Sequence, residues 1–295
     1  MAYKDPQAIT LAGIETGAKK SLLSWDKALV AGFLAGAYIA FASLLAIVVS
    51  SGLDKATWGG LITLFSGSVF ALGLILVVIA GSELLTGNMA LIPMAVLGRR
   101  ASLGGLFKNF GWVALGNLAG SLFVAYFLAV KTGVVTAEAP LKRLGEIATL
   151  KGSTEDAGQI FLRALGCNWL VCLAVWMALG ADDVGGKVLA IFFPIMGFVA
   201  MGFDHVVANM FFLPAAIFAH VPGIGWGDVL NNWVFAFLGN LVGAAVFVAG
   251  AYHYLYGRVD RSTLTPPGDT PTGAGAGAGN GRADGVGATT GTRSR

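Results

Sequence analysis

Two short polar segments lie within apolar stretches of the chain and hold the side chains best suited to chemistry. The second polar segment, residues 202–214, runs Gly-Phe-Asp-His-Val-Val-Ala-Asn-Met-Phe-Phe-Leu-Pro. The first polar segment, residues 81–93, runs Gly-Ser-Glu-Leu-Leu-Thr-Gly-Asn-Met-Ala-Leu-Ile-Pro, 121 positions earlier (202 − 81 = 121). Gly, an acidic residue, Asn-Met and Pro recur at the same five positions without a gap, which indicates an internal duplication.

Each polar segment carries one carboxylate, Glu83 or Asp204. At membrane depth such a group could serve as a proton relay or a metal ligand, because buried carboxylates there are usually functional. Their matched placement favours another role, in which each accepts hydrogen bonds from N–H groups freed by an interrupted helix. We therefore predict a loop scaffold made of the two carboxylates with Gly81 and Gly202.

His205 breaks the symmetry of the two segments, since the matching position is Leu84. A single histidine on an apolar face can be a packing residue. Imidazole also exchanges a proton near physiological pH. Because His205 adjoins the predicted helix interruption and is the only histidine at membrane depth, we predict that it lends a proton to an anion, which then crosses an apolar barrier as the weak acid.

The register of the duplication extends beyond the polar segments. Residues 116–120, Gly-Asn-Leu-Ala-Gly, recur as residues 239–243, Gly-Asn-Leu-Val-Gly, at an offset of 123 (239 − 116 = 123). Asn109 and Asn232 share that offset. Each half of the chain should therefore hold the same set of helices.

The composition places those helices in lipid, because 56% of residues are hydrophobic and only 12% are charged, too few to cover a soluble globule. A helix that spans a bilayer needs about 20 mostly apolar residues. Six stretches qualify: 28–50, 60–80, 110–130, 161–180, 187–203 and 230–255. We predict an all-α integral membrane protein with six transmembrane helices, whose broken second and fifth helices continue as apolar pieces over 88–98 and 206–219.

Basic residues in the loops predict the orientation. With the N-terminus inside, 13 of the 19 Lys and Arg residues face the cytoplasm, so both termini should be cytoplasmic in the cell inner (plasma) membrane. Three helices per half is an odd number, so the repeats, about 28–130 and 161–255, should be inverted. The net charge of +3 reflects this topology and gives no reason to expect a nucleic-acid partner.

The predicted domain organisation has three parts. Residues 1–27 form a cytoplasmic N-terminal helix, and residues 28–257 form the pore domain in the lipid bilayer. Residues 258–295 are rich in Pro, Gly, Ala and Thr and cannot bury enough apolar area to order, so we predict a disordered cytoplasmic tail.

Both polar segments should interrupt a helix, because Pro93 and Pro214 lack an N–H and clash with the preceding turn. Backbone freed in hydrocarbon is tolerated only where protein or a wet cavity satisfies it. Two breaks at matching places of inverted halves indicate a transport site near the bilayer midplane. Helix N-termini that point there favour a small anion.

Three stretches together resemble the signature segments of the formate–nitrite transporter family: 79–88, 167–177 and 202–210. The sequences of residues 81–87 and 167–172 are more similar to those of the nitrite branch than to those of the formate branch. The resemblance covers about residues 8–257. It implies a homopentamer with one pore in each protomer, an aquaporin-like arrangement of six helices, and a proton-linked pathway for formate, nitrite or related small acids.

The resemblance also implies roles for individual residues. The pore histidine of the family falls on His205 and its loop threonine on Thr86, the pair thought to gate and protonate the anion. Apolar constrictions and polar vestibule positions fall on Leu74, Phe198, Asn168 and Asn209. Two departures are Leu85, where the family often has Phe, and Asp204, where it often has Glu; Lys151 is a candidate for the vestibule lysine.

Other functions remain as alternatives. An integral-membrane metalloenzyme would use Glu83, Asp204 and His205, but a metal site needs three or four ligands and His220 and His253 lie near helix ends. We therefore predict no metal site, no cofactor and no enzymatic activity. Cys167 and Cys172 are read as packing residues, with a metal pair or a disulfide as the alternative. A hydrosulfide channel or a neutral-solute or water channel remains open.

Overall fold

The computed structural model describes residues 3–257, so the predicted disordered tail, 258–295, lies outside the described residues. Within the described part the elements are helical and no strand forms; one isolated bridge joins Tyr3 and Ala181. The α-helices are α1 (Pro6–Ser21), α2 (Trp25–Ser50), α3 (Lys55–Trp58), α4 (Leu61–Ala80), α5 (Leu85–Leu97), α6 (Leu103–Phe123), α7 (Glu138–Thr149), α8 (Ala157–Gly180), α9 (Val184–Ala200), α10 (Val206–Phe218), α11 (Trp226–Ala244) and α12 (Ala251–Tyr256). Three π-helical segments continue α6, α7 and α11: Val124–Val130, Leu150–Thr154 and Ala245–Gly250.

Five helical stretches are long and apolar enough to cross a membrane: Trp25–Ser50, Leu61–Ala80, Leu103–Val130, Ala157–Gly180 and Trp226–Tyr256. The fifth predicted span corresponds to α9, which has 17 residues. Several spans begin earlier than hydropathy predicts, because polar caps set their starts. Ser102 accepts a hydrogen bond from the N–H of Gly105, and Asp156 does the same for Gln159.

The predicted N-terminal helix, 1–27, differs in its bounds. Asp5 caps α1 by accepting from the N–H of Ala8, and Pro6 occupies the first helical position. α1 ends at Ser21, and Trp25 opens α2. The chain therefore turns between these residues, and Trp25 belongs to the first apolar span.

Both polar segments interrupt a helix, but the prolines are not the cause, which corrects the sequence-based explanation. α4 gives way to α5 at Gly81 (φ 78°), and α9 gives way to α10 at Gly202 (φ 73°). A residue with positive φ cannot continue a right-handed helix, and glycine adopts it at little steric cost. Pro93 and Pro214 instead lie inside the following helices α5 and α10.

Small residues bring the helices of each half close together. A methyl group at Gly36 of α2 would collide with the backbone of Asn117 in α6, and one at Gly243 of α11 would collide with the backbone of Leu165 in α8. Backbone contact of this kind is how helices pack tightly in lipid. The pairs α2/α6 and α8/α11 thus hold the asparagines of the Gly-Asn-Leu-x-Gly sequences against their partner helices.

Candidate functional site

The two helix breaks meet at Thr86 and His205. Thr86 is the second residue of α5, and His205 is the N-cap of α10. Thr86 Oγ1 lies 2.8 Å from His205 Nε2, although 119 positions separate the residues. Both side chains are buried, with 0% and 2% exposure. The structure therefore brings together the pair that the resemblance implied.

The hydrogen bonds of His205 define its tautomer. Its Nδ1 accepts from the backbone N–H of Ala208 at 3.1 Å, which is the capping bond of α10. A ring nitrogen that accepts is unprotonated, so in the neutral ring Nε2 carries the proton and donates to Thr86 Oγ1. The hydroxyl proton of Thr86 can then be donated to a third group.

A closed ring of side chains surrounds the first break. Lys20 Nζ lies 2.7 Å from Glu83 Oε1, and Asn88 Nδ2 donates to Glu83 Oε2 at 2.8 Å. Asn88 also donates to Asn109 Oδ1, and Asn109 donates to the carbonyl of Lys20, at 2.9 Å each. We call this set the Glu83 ring: Lys20, Glu83, Asn88 and Asn109.

The second break repeats the arrangement. Lys151 Nζ lies 2.8 Å from Asp204 Oδ1, which also accepts from Asn209 Nδ2 at 2.8 Å. Asn209 donates to Asn232 Oδ1 at 2.8 Å, and Asn232 donates to the carbonyl of Lys151 at 3.0 Å. We call this set the Asp204 ring: Lys151, Asp204, Asn209 and Asn232.

These rings correct the predicted partners of the two carboxylates. Each carboxylate accepts from a lysine and an asparagine side chain, whereas the sequence suggested freed backbone N–H groups. Lys20 was missed because it lies in α1, outside the repeated part of the sequence. Asn109 and Asn232 were seen only as markers of register, yet each closes its ring.

Two further asparagines satisfy the backbone at the breaks. Asn117 Oδ1 accepts from the N–H of Leu85, and its amide donates to the carbonyls of Glu83 and Gly32. Asn240 Oδ1 accepts from the N–H of Val206, and its amide donates to the carbonyls of Asp204 and Ala164. The Gly-Asn-Leu-x-Gly repeats therefore do more than pack helices, since their asparagines satisfy backbone groups that would otherwise be costly to bury.

Comparison with known proteins identifies the family. The model of the formate/nitrite transporter family matches residues 7–254. The chain belongs to this family. It is 48% identical over 263 residues to the uncharacterized transporter YrhG of Bacillus subtilis (strain 168), with 89% of this chain and 97% of that protein covered.

Two further comparisons agree. A probable formate transporter of Methanothermobacter thermautotrophicus is 46% identical, with 86% of this chain and 98% of that protein covered. A solved pentameric formate channel with formate bound superposes with a TM-score of 0.69 at 31% identity, covering 79% of this chain and 98% of that one. The relatives are named as transporters and channels rather than enzymes, and this member of the formate/nitrite transporter family is a multi-pass membrane protein.

Of the two apolar positions that the family resemblance implied, one lies directly against the histidine. The ring of Phe198 stacks on that of His205, with centroids 6.0 Å apart and an interplanar angle of 27°. Phe70 meets Phe198 edge-on at 5.7 Å and was not singled out from the sequence. Leu74 follows Phe70 by one helical turn of α4 and is 2% exposed. Phe70 and Leu74 thus share one face of α4.

The implied vestibule residues lie in structural networks. Asn168 donates to the carbonyls of Thr86 at 3.2 Å and Asn240 at 2.8 Å, so α8 supports the start of α5. Asn209 belongs to the Asp204 ring. Cys172, which we read as packing, donates to the carbonyl of Thr86 at 3.3 Å. Cys167 and Cys172 are free thiols, so the disulfide alternative is wrong.

A metal site would need several ligands close together. Within residues 3–257, no three His, Cys, Asp or Glu side chains are grouped so that they could share a metal ion. The polar groups at the two breaks are instead arranged to bind one another and to present a hydroxyl beside an imidazole.

Proposed function

We propose that each protomer transports small monovalent anions, with formate and nitrite as cargo, and that His205 exchanges a proton with them. The observation that carries the proposal is the 2.8 Å contact between Thr86 Oγ1 and His205 Nε2, buried where the two helix breaks meet. The names of the relatives support anions of this class.

The helix ends beside this contact support an anionic cargo. Thr86 lies in the first turn of α5 and His205 caps α10, so the N-terminal ends of both helices lie at the contact. Helix N-termini stabilise negative charge because their first N–H groups have no partner within the helix. A small anion beside Thr86 would accept a hydrogen bond from its hydroxyl.

Proton exchange follows from the same geometry. When His205 takes up a proton, Nδ1 becomes a donor, and its bond with the N–H of Ala208 is lost. The imidazolium then gives its Nε2 proton to Thr86 Oγ1, and Thr86 gives its own hydroxyl proton to the anion. The products are the neutral acid, a neutral imidazole protonated on Nδ1, and an unchanged hydroxyl.

Apolar residues explain why this exchange matters. We propose that Leu74 and Phe198 form the constrictions on the two sides of the pair, with Phe70 supporting Phe198. A bare anion would lose its hydration between them at a cost of at least several kcal/mol. The neutral acid does not carry that cost, so protonation at His205 opens the path.

We further propose six membrane crossings as two inverted three-helix repeats with an aquaporin-like arrangement. In this view α4 with α5 forms one crossing and α9 with α10 forms another. The matching glycines at the two breaks and the two similar rings support the duplication. A homopentamer is proposed because the solved relative is pentameric, and native mass spectrometry in detergent tests it.

In the proposed orientation both termini lie on the cytoplasmic side of the inner (plasma) membrane. Thiol labelling can test this orientation. Cys167 and Cys172 are buried, so they need not be removed first. An impermeant thiol reagent added outside intact cells should label Lys142→Cys and leave Arg100→Cys unlabelled. The reverse pattern would overturn the orientation.

The function is tested with the full chain in liposomes. Uptake of formate and of nitrite is measured with and without an inward proton gradient, with glycerol and hydrosulfide as comparison solutes. Gradient-driven uptake of both anions is expected, with no glycerol flux. Glycerol flux without anion uptake would identify a neutral-solute channel instead, and selective hydrosulfide flux would identify a hydrosulfide channel.

A further inference from the structure

The Asp204 ring has a neighbour that the Glu83 ring lacks. Glu155 lies between the π-helical segment Leu150–Thr154 and α8, and it forms an ion pair with Arg163 through Oε1. Its side chain is only 1% exposed. The proposed function assigns no role to this buried acid.

The carboxyl groups of Glu155 and Asp204 face each other within hydrogen-bond reach. Glu155 Oε2 and Asp204 Oδ2 are both buried, and neither receives a hydrogen bond from an N–H or O–H group of residues 3–257. Two facing carboxylates repel each other, whereas one proton placed between them gives each oxygen a partner. In the Glu83 ring both carboxylate oxygens already have donors, Lys20 and Asn88.

The charges around the two carboxyl groups balance when both acids are ionised. Asp204 Oδ1 is held by Lys151, and Glu155 Oε1 by Arg163. With both acids ionised these four groups sum to zero, and with one proton added they carry +1. Asp228 of α11 packs near Gly152 but caps its own helix through the N–H of Gly225. Among residues 3–257, Cys167 and His205 are two further titratable side chains next to the cluster.

We propose that Glu155 and Asp204 form a second proton-binding site, which holds one proton between the two carboxyl groups at the Asp204 ring. This inference rests on the proposed function. The bound proton gives the side of the pathway that holds the Asp204 ring a net positive charge, and this charge attracts the anion toward His205. Proton and anion then arrive together from the same side.

The ionisation of Glu155 agrees with this site. Burial raises the pKa of Glu155 to about 7, and the adjacent, negatively charged carboxylate of Asp204 acts in the same direction. Lys151 and Arg163 oppose the rise. The proton would therefore bind and leave near neutral pH.

Infrared spectroscopy tests the proton directly, on the full chain in detergent. The carbonyl band of a protonated carboxylic acid should be present in the wild type and should disappear as the pH rises through about 7. Glu155→Gln should lose this titrating band. Glu146→Gln is the matched control, because Glu146 is an exposed acid of the same connection, and it should keep the band. Absence of a titrating band in the wild type would overturn the proposal whatever the variants do.

Transport gives the second measurement. Glu155→Gln mimics the protonated acid, so the cluster stays at +1. Formate uptake from the side of the Asp204 ring should then depend less steeply on the pH of that side between about 6 and 8, and the dependence that remains is due to proton exchange at His205. Glu146→Gln should keep the wild-type profile. An unchanged profile in Glu155→Gln would overturn the link between proton and anion. If no variant and no wild-type protein transports formate or nitrite, the proposed function fails while the infrared result still decides the proton site.

Discussion

The Glu83 ring and the Asp204 ring each join a lysine, a carboxylate and two asparagines, but they differ in how deeply their charges are buried. The Lys20 and Glu83 side chains are 18% and 12% exposed, whereas those of Lys151 and Asp204 are 9% and 0% exposed. The Asp204 ring also adjoins the Glu155–Arg163 pair. The duplication thus kept the bonds that hold the helix breaks open, and residues from outside the matched segments made the two sides unequal.

The lysines illustrate the difference. Lys20 comes from α1, and Lys151 comes from the π-helical segment after α7. They are 131 positions apart (151 − 20 = 131), which is not the offset of 121 to 123 that relates the repeats. The two lysines are therefore not related by the duplication. The lysine of one ring can be substituted without changing the lysine of the other.

The largest expected effect is at His205, whose matching position in the first break is Leu84. His205→Asn keeps a group that can cap α10 but cannot exchange a proton, so proton-coupled uptake of formate and nitrite should fall by at least about tenfold, since positioned proton transfer contributes roughly 10²–10⁴-fold. Liposome uptake under a pH gradient measures it. Leu84→Met is the matched control and should retain uptake.

Any anion flux that remains in His205→Asn should be an ionic current that does not depend on the pH gradient. Wild-type, pH-dependent uptake in this variant would make His205 a packing residue, with the cargo taking its proton from water.

The next effect separates the two lysines. Lys151→Met strands Asp204 in a buried site and should lower the free energy of unfolding by about 3–5 kcal/mol at pH above 7, where Glu155 is ionised as well. Lys20→Met leaves Glu83 with partial access to water, so about 1–3 kcal/mol is expected. Denaturant unfolding in detergent compares them, and equal losses would contradict the difference in burial.

A smaller effect tests whether the helices of the two halves pack equally tightly. Gly120→Ala and Gly243→Ala each place a methyl group against a carbonyl of the partner helix, Phe33 or Leu165, and each should destabilise by about 1–3 kcal/mol. Thermal unfolding in detergent measures the losses. Gly111→Ala is the control, because a methyl group there meets nothing within 4 Å. A loss in only one half would show that the halves pack differently.

The smallest effect is the pH dependence of stability. The pKa of Glu155 is about 7 in the folded chain, against an ordinary 4.5, so the folded state holds the proton more tightly than the unfolded state. Its contribution is complete below about 4.5 and is lost as the pH rises through about 7. Thermal unfolding of the wild type should show this loss, and Glu155→Gln should flatten it. A wild-type curve that rises across this range would contradict the assignment.

Local sequence signals were enough for the membrane class, the family and the two helix breaks, and the resemblance to the family implied the pairing of Thr86 with His205. Each of these signals lies within a short stretch of the chain and can be recognised without the tertiary structure. They are the apolar runs, the repeat of Gly, an acidic residue, Asn-Met and Pro, and the family signature sequences. The predicted cause of the breaks was wrong. Proline is a known helix breaker and can be recognised in the sequence, whereas the positive φ of Gly81 and Gly202 is a backbone property that only the structure shows.

The partners of the polar groups required the packed structure. Lys20 meets Glu83 across 63 positions, and Glu155 meets Asp204 across 49 (204 − 155 = 49), with no period or motif linking either pair. Such contacts depend on where α1 and the connection before α8 pack against the breaks. A buried charge must find its counterpart in whatever chain segment lies beside it. That segment is selected by the fold as a whole.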